Sequence, residues 1–466
     1  MKVDFKLSVS SLSQQLEHFW QVATQKVELI NNEYDPSQGS PVFTVEGRYS
    51  TRGWTEWTQG FQYGIPLLVF GATGDREMLR IGKKNTLEKM AHHVTHFGVH
   101  DHGFNNLSTY GNLLRFANSG LFESSTEEKE LYRMAIKASG AVQSRRWTPV
   151  TNGGYIYSFN GPHSLFIDTM RTCRILLAAH KLGHRVLEEG DKEVNLLERA
   201  ITHGLTTAKY AVYYGEGRDS YDKWGRVAHE SIFNVNDGNY RCPNSQQGYS
   251  GFTTWTRGLA WAMLGFSEFL EYLVAIESET PELGSGSSQL NPGDPETGLI
   301  HSVFLKAARA TCDFYMENTA ADGIPYWDTG APQLHQLGRY QESPSDPFND
   351  FEPVDSSAAA IAAQGLIRLG KILEKSDPEA SSSYMAAGLT TLNTLLSDRY
   401  LSLNNQHQGI LLHSVYHRPN GWDHIPMGQK IPCGESSMWG DYHMTELCYL
   451  VEQMNKGAYY TFFNNL

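Results

Sequence analysis

Asp168 lies in "SLFIDTMRTCRILLAA", residues 164–179, where the chain is entering an apolar helix and has little use for a charge. The plain account is capping: an Asp at a helix start satisfies free N–H groups and meets the positive end of the dipole. A second acid, Asp101, stands in "FGVHDHGFNN", 97–106, between His100 and His102 and just ahead of Gly103, a residue that permits a tight turn. Alone, it reads as a turn aspartate. Two carboxylates held together can divide their labour, because like charges push their pKa values apart and leave one protonated while the other is ionised. The pair defines an acid–base site if the fold brings the two side by side.

"NSQQGYSGFTTWTRGLAWAMLGF", 244–266, adds flat and polar groups: Gln247, Trp255, Arg257 and Trp261, with His229 upstream in polar loop sequence. Helical tryptophans are most often core, yet flat apolar faces beside a few hydrogen-bonding groups are also what a sugar ring requires. Arg257 offers a planar fork that matches a carboxylate. His92, His96 and His100 recur every four residues, but Gly98 points to a helix ending before His100 and there is no HExxH, so no metal is expected. GxSxG and a Walker loop are absent, and "GSGSSQ", 284–289, lacks the third glycine of a dinucleotide fingerprint.

The elements that must position these residues are helical. Periodicity and breakers give segments near 11–30, 55–71, 76–97, 108–120, 126–142, 166–183, 193–214, 254–275, 301–318, 355–374, 380–400 and 436–454, with few convincing strands. Small, apolar segments such as "DSSAAAIAAQGLIRL" alternate with charged ones such as "TEEKELYRMAIKAS". Six of each predict an all-α (α/α)6 toroid, one catalytic domain over 1–466, with a surface insertion at 277–298 and a long Pro- and Asp-rich loop at 322–354. In such a ring the N-termini of the inner helices meet at one mouth. Trp57, His100 with Asp101, Asp168, Trp255 with Arg257, Asp355 with Ser356, and Glu435 with Ser436 and Asp441 all stand there.

Of the 466 residues, 40% are hydrophobic and 19% charged, which suits a globular chain with a large core. The net charge of −13, without a run of Lys or Arg, argues against nucleic acid. An anionic ligand would depend on local cations such as Arg257. Five widely spaced cysteines read as reduced thiols. "MKVDFKLSVSSLSQQLEHFW" has no signal-peptide core and no long apolar run follows, so a cytoplasmic chain is expected unless a leader precedes it, with no membrane partner.

"HDHGF" (100–104), "FIDTMRT" (166–172), "QGYSGFTTWTRGLAWAMLGF" (247–266), "DSSAAAIAAQGL" (355–366) and "SSMWGDYHMTEL" (436–447) resemble, in order, the signature segments of the unsaturated glucuronyl hydrolases, glycoside hydrolase family 88. The resemblance runs from about Trp57 to the C-terminus. It implies an (α/α)6 toroid, without cofactor, that removes a 4,5-unsaturated uronic acid from the non-reducing end of lyase-generated oligosaccharides. It further implies Asp168 as general acid and base, Asp101 as the second carboxylate, and His100, His229, Gln247, Trp255, Arg257 and Trp261 as substrate-binding. Trp57 would be an aromatic wall, and Ser436 and Ser437 would lie near a distal subsite. Phe159, in "SFN", stands where the family tends to have Trp, and His102 where it commonly has Leu.

The implied reaction is hydration of the C4=C5 vinyl ether rather than displacement at the anomeric carbon, so carboxylate spacing does not predict retention or inversion. It asks for a proton donor near neutral pH and hence for a raised pKa on Asp168. A same-fold alternative is an unsaturated rhamnogalacturonyl hydrolase. A non-catalytic sugar-binding toroid would keep the aromatic residues and tolerate loss of Asp168, and a metal hydrolase would lose activity to a chelator.

Overall fold

A computed structural model describes residues 1–52, 56–279 and 295–466. Among these residues the chain forms a double ring of helices. In order they are α1 (Ser13–Glu33), α2 (Gln59–Thr73), α3 (Arg76–Lys89), the composite α4 (His102–Asn106, Leu107–Gly111 and Asn112–Asn118), α5 (Thr126–Ser144), the composite α6 (Thr169–Thr172 and Arg174–Lys181), α7 (Leu196–Tyr210), α8 (Thr256–Glu279), α9 (Pro295–Asn318), α10 (Ser356–Leu373), α11 (Pro378–Leu395) and α12 (Met438–Asn455). Even-numbered helices pack in sequence, α2 on α4, α4 on α6, and so on until α12 closes on α2. Odd-numbered helices lie outside them, as the (α/α)6 reading requires.

The two rings differ because their sequences do. In α10 small residues let neighbours approach on every side, and nearly all of its residues are buried. Four outer helices start on side-chain caps: Ser125 and Glu128 form a reciprocal capping box at α5, and Asp75, Asn195 and Asp377 cap α3, α7 and α11. By length and composition α8 could cross a membrane, but 83% of its apolar window is buried in the protein, where the inner ring uses that apolarity. The buried apolar side chains of both rings join in one contiguous cluster.

Glycines set how close the inner helices come, two of them beside the acids' helix. A Cβ on Gly103 would lie 2.1 Å from the Thr172 carbonyl oxygen of α6, and one on Gly60 would lie 2.3 Å from the Asn105 backbone of α4. Gly103 therefore does more than turn the chain after Asp101: it lets α4 touch α6 where both acids are carried. Gly103→Ala should cost about 3 kcal/mol of stability by overpacking and depress activity by parting Asp101 from Asp168. A thermal melt within 2 °C of wild type, about 1 kcal/mol or less for a chain this long, would overturn the packing argument.

Several expected boundaries move for reasons of long-range contact. The helix expected over 76–97 stops at Lys89; a short turn, Ala91–Val94, follows, and His93 bonds Gln59 and Asn105. The helix expected from 108 starts at His102 and passes through a π turn at Leu107–Gly111, a local widening often found at functional sites. The helix expected from 166 starts at Thr169, because the residues before it are a strand.

That strand belongs to more β-structure than the sequence suggested, all of it short. Hairpins pair β1 (Phe43–Val45) with β2 (Arg48–Ser50) and β3 (Trp147–Val150) with β4 (Gly153–Ile156). After β5 (Ser164–Phe166) comes a third hairpin, β6 (Val186–Leu187) with β7 (Glu193–Val194). A three-stranded sheet then joins β5 to β8 (Glu230–Phe233) and β8 to β9 (Tyr240–Asn244), all antiparallel. The insertion expected at 277–298 is trimmed at both ends, since α8 runs to Glu279 and α9 begins at Pro295. Residues 280–294 lie outside the described residues.

Candidate active site

The sheet sets the first piece of the site. Phe166 on β5 pairs with Glu230 on β8, and Ile167 N–H donates to the His229 carbonyl at 3.0 Å, so Asp168 and His229 leave the sheet next to each other. Asp101 arrives from the start of α4, held close by the Gly103 contact. Around them opens a cleft with about 850 Å³ of empty space, at the end of the ring where the inner helices begin. Trp57, His100, Asp101, Phe159, Asp168, Gln247, Trp255, Arg257 and Trp261 line it, nine residues singled out from the sequence.

The capping account of Asp168 fails on geometry. Asp168 occupies the N-cap position of α6, yet its side chain makes no cap hydrogen bond. Instead His100 Nε2 lies 3.1 Å from Asp168 Oδ1 and 4.0 Å from Asp101 Oδ1, one imidazole facing both acids. Asp101, likewise at a helix start, also caps nothing. The histidine is 1% exposed, with Phe159 stacked over it and Phe166 against its edge.

These contacts divide the protons, though not as expected. Burial raises the pKa of Asp101, and the neighbouring Asp168 raises it further against the pull of His100. Burial pulls Asp168 the same way, but the charge and hydrogen bond of His100, together with His229, more than offset it and hold Asp168 below the usual carboxylate value. Burial would lower His100, and the two aspartates overcome it and raise that group. The expectation that Asp168 carries the raised pKa is thus reversed: Asp101 carries it, and Asp168 is the ionised partner of His100.

Arg257 also departs from its expected role as a cation awaiting an anion. Its terminal nitrogens donate to Asp355 Oδ2 (3.0 Å), Gln247 Oε1 (2.9 Å), the Tyr416 carbonyl (2.8 Å) and the Val415 carbonyl. Its guanidinium plane is stacked near Trp255 and Trp439, 4.6 and 4.9 Å from the ring centroids. Asp355, which also caps α10, neutralises it. Arg257 is therefore a brace that orients Gln247 and anchors residues 415–416. Gln247 has its side-chain oxygen committed to Arg257.

His229 does not line the cleft. Its Nδ1 accepts the backbone N–H groups of Gln246 (3.0 Å) and Gln247 (3.3 Å), which places its proton on Nε2, and its ring lies between Phe166 and Trp255. Burial lowers its pKa to about 4. Ser436 and Ser437 are not brought to the cleft either. Both are fully buried; the Ser437 side chain caps α12 by accepting from Gly440 N–H, and Ser436 pairs its backbone with Thr44. Glu435 and Asp441 are likewise structural, tying down β1–β2 through Thr44, Glu46 and Tyr49.

Residues not singled out complete the lining: Val99, Phe104, Phe166, Gln246, Tyr416, His417, Asn420 and Trp422. The last four come from "SVYHRPNGW", 414–422, whose aromatic residues around a Pro-Asn-Gly turn were the available signal. Gly421 takes a left-handed conformation (φ +62°), and Asp423 closes the turn by accepting from Tyr416 N–H (2.5 Å) and His417 N–H (3.1 Å).

Comparison with known proteins places this arrangement. No family model matches the chain. The unsaturated glucuronyl hydrolase of Bacillus sp. (strain GL1) is 26% identical over 417 residues, covering 87% of this chain and 89% of that protein. The unsaturated chondroitin disaccharide hydrolase of Streptococcus pyogenes serotype M1 is 24% identical over 452 residues, 96% and 92% of the two chains. In three dimensions the solved unsaturated glucuronyl hydrolase of Bacillus sp. GL1 overlays with a TM-score of 0.67 at 22% identity, covering 94% of this chain and 97% of that one, a likeness of fold. The ring and its cleft are those of an α/α-toroid glycoside hydrolase. Within that class the chain is similar over most of its length to the unsaturated glucuronyl hydrolases, and its activity is that of an unsaturated hexuronide hydrolase.

Proposed function

We propose that the protein removes a 4,5-unsaturated uronic acid from the non-reducing end of lyase-generated oligosaccharides by hydrating its C4=C5 bond. The observation that supports this reading most is the pair of uncapped carboxylates, Asp101 and Asp168, bridged by one buried imidazole inside an aromatic-walled cleft. In the resting protein Asp168 is ionised and His100 holds the proton. A bound substrate brings its own carboxylate and displaces water, and both effects raise Asp168, which then takes the His100 proton across the 3.1 Å contact. Neutral Asp168 delivers this proton to C4, using the π electrons of the double bond, and leaves oxocarbenium character at C5. Water adds to C5 and gives its proton back to the Asp168 carboxylate. The resulting hemiketal opens to a ketone, and the hemiacetal left at C1 expels the remaining sugar.

Asp101, whose hold on a proton is raised by burial and by Asp168, is suited to hydrogen-bond the sugar hydroxyls. The inner helices also turn their positive ends towards the cleft, which favours an anion there despite a net charge of −13. The test is loss of vinyl-ether absorbance on a panel of unsaturated disaccharides from glycosaminoglycan, alginate and pectin lyases. Bleaching of any uronyl member supports the reading. Bleaching of only the rhamnose-containing pectin product would move it to an unsaturated rhamnogalacturonyl hydrolase, and no bleaching would overturn it.

A pH profile tests the proton assignment. His100 is raised above its ordinary value of 6.5, so the stored proton is present below that value and is lost only as pH climbs through the higher one. The kcat/KM profile, which reports the free enzyme, should accordingly hold past pH 6.5 before its alkaline fall. In His100→Gln the fall should move to lower pH, because Asp168 must then keep the proton itself. An unmoved alkaline limb would refute His100 as the proton's resting place.

A further inference from the structure

Arg146 is a buried guanidinium that the mechanism above does not use. It stands just past the end of α5, is 5% exposed and does not line the cleft. It donates to three backbone carbonyls: from Nε to Tyr157 at 3.1 Å, from one terminal nitrogen to Ser158 at 2.7 Å, and from the other to Phe97. Its plane lies 4.3 Å from the Tyr157 ring centroid. None of these partners is a carboxylate, although burying a charge without one is costly.

The three carbonyls belong to the two segments that enclose His100. Phe97 lies on the loop leading to His100, and Tyr157 and Ser158 directly precede Phe159, whose ring is stacked over that imidazole. One side chain thus fixes His100 relative to its aromatic cover. The guanidinium charge reaches the same group: burial and Arg146 both oppose the proton on His100, against the pull of Asp101 and Asp168. Three more histidines, His102, His203 and His229, surround it, but burial lowers them to about 4, about 3 and about 4, so they are neutral near pH 7. Arg146 is therefore the cation set against the two acids.

We infer that Arg146 is a positioning residue of this reaction: it clamps His100 beneath Phe159 and between the two acids, and its fixed charge keeps the stored proton transferable to Asp168. This rests on the hydration reading above, in which His100 stores that proton. A neutral donor could brace the same carbonyls, so the brace alone does not explain a charge. An imidazole facing two carboxylates without Arg146 would hold its proton more firmly and give it up less readily.

The experiment follows kcat/KM against pH for Arg146→Gln and Arg146→Lys, by loss of vinyl-ether absorbance on an unsaturated uronyl disaccharide. Gln can donate to a carbonyl but carries no charge, so kcat/KM should fall about 10–100-fold as His100 is misplaced. Its alkaline limb should move up by about half a pH unit or more, because a like charge has been taken from the imidazolium. Lys keeps the charge and loses the fork, so it should lose activity while its alkaline limb stays at the wild-type position. Arg146→Met, which keeps an apolar stem over Tyr157, gives the same reading as Gln should that variant not fold. A brace without an electrostatic role would lower activity and leave the limb in place. A limb that stays or falls in the neutral variants, or one that moves in Arg146→Lys, would overturn the inference and leave the hydration reading standing. A wild type that bleaches no uronyl substrate would instead overturn the hydration reading, and this inference with it.

Discussion

Asp168→Asn is expected to fold like the wild type and to lose about 10²–10⁴-fold in kcat, the range for removing a positioned acid–base group. Asn fills the same space and can still hydrogen-bond His100, but it can neither carry a proton to C4 nor take one from water. Loss should appear in kcat with KM little changed, since the amide still occupies the cleft. The absorbance assay reads this directly, and near-wild-type melting would show that the loss is chemical. Retention of activity within ten-fold would return Asp168 to a structural role and leave the cleft as a binding site. Asp101→Asn should be milder, because an amide can also hydrogen-bond a sugar hydroxyl.

A comparable effect on stability is expected below the cleft. There Arg171 and Arg174 of α6 meet Glu268 of α8 and Glu446 of α12, with Arg171 2.9 Å from each carboxylate and every side chain at most 1% exposed. Arg368 of α10 pairs with Glu271 of α8 at 2.7 Å, and the C-terminal segment joins through Tyr459 to Glu271 and Tyr460 to Glu446. The arginines hold Glu446 well below the usual carboxylate range despite its burial. Glu446→Ala leaves Arg171 and Arg174 sharing one carboxylate in a dry interior, where breaking a buried pair costs about 3–5 kcal/mol. A denaturation midpoint giving a loss under about 1 kcal/mol would mean that water already screens the cluster.

Much of this was legible in the sequence. Alternation of small, apolar helices with charged ones is a local pattern, and it located the twelve ring helices among the described residues because each ring demands its own composition. Asp101 and Asp168 were legible because an acid at the start of an apolar helix needs a reason. What local pattern could not carry was pairing at a distance. Strand β5 replaced the expected start of α6 because its partner, β8, lies more than 60 residues on. The proton assignment turned on His100 facing both acids, a geometry set by the contact of Gly103 with α6. Arg257 looked like a ligand-binding cation because its partners, Asp355 and the carbonyls of residues 415 and 416, are about 100 and 160 residues away. Ser436 and Ser437 were drawn to a subsite by motif alone, where helix capping and backbone pairing account for them.

The buried ionic cluster and the C-terminal tyrosines bonded to it also fill the ring below the cleft. A cleft open at one end and stopped at the other cannot thread a polymer. Each encounter must therefore begin with a chain tip inserted end-on, and each cut must be followed by backing out. On the function proposed above, such an enzyme is distributive: it removes one residue per visit, and its flux scales with the number of unsaturated chain ends rather than with the mass of polysaccharide.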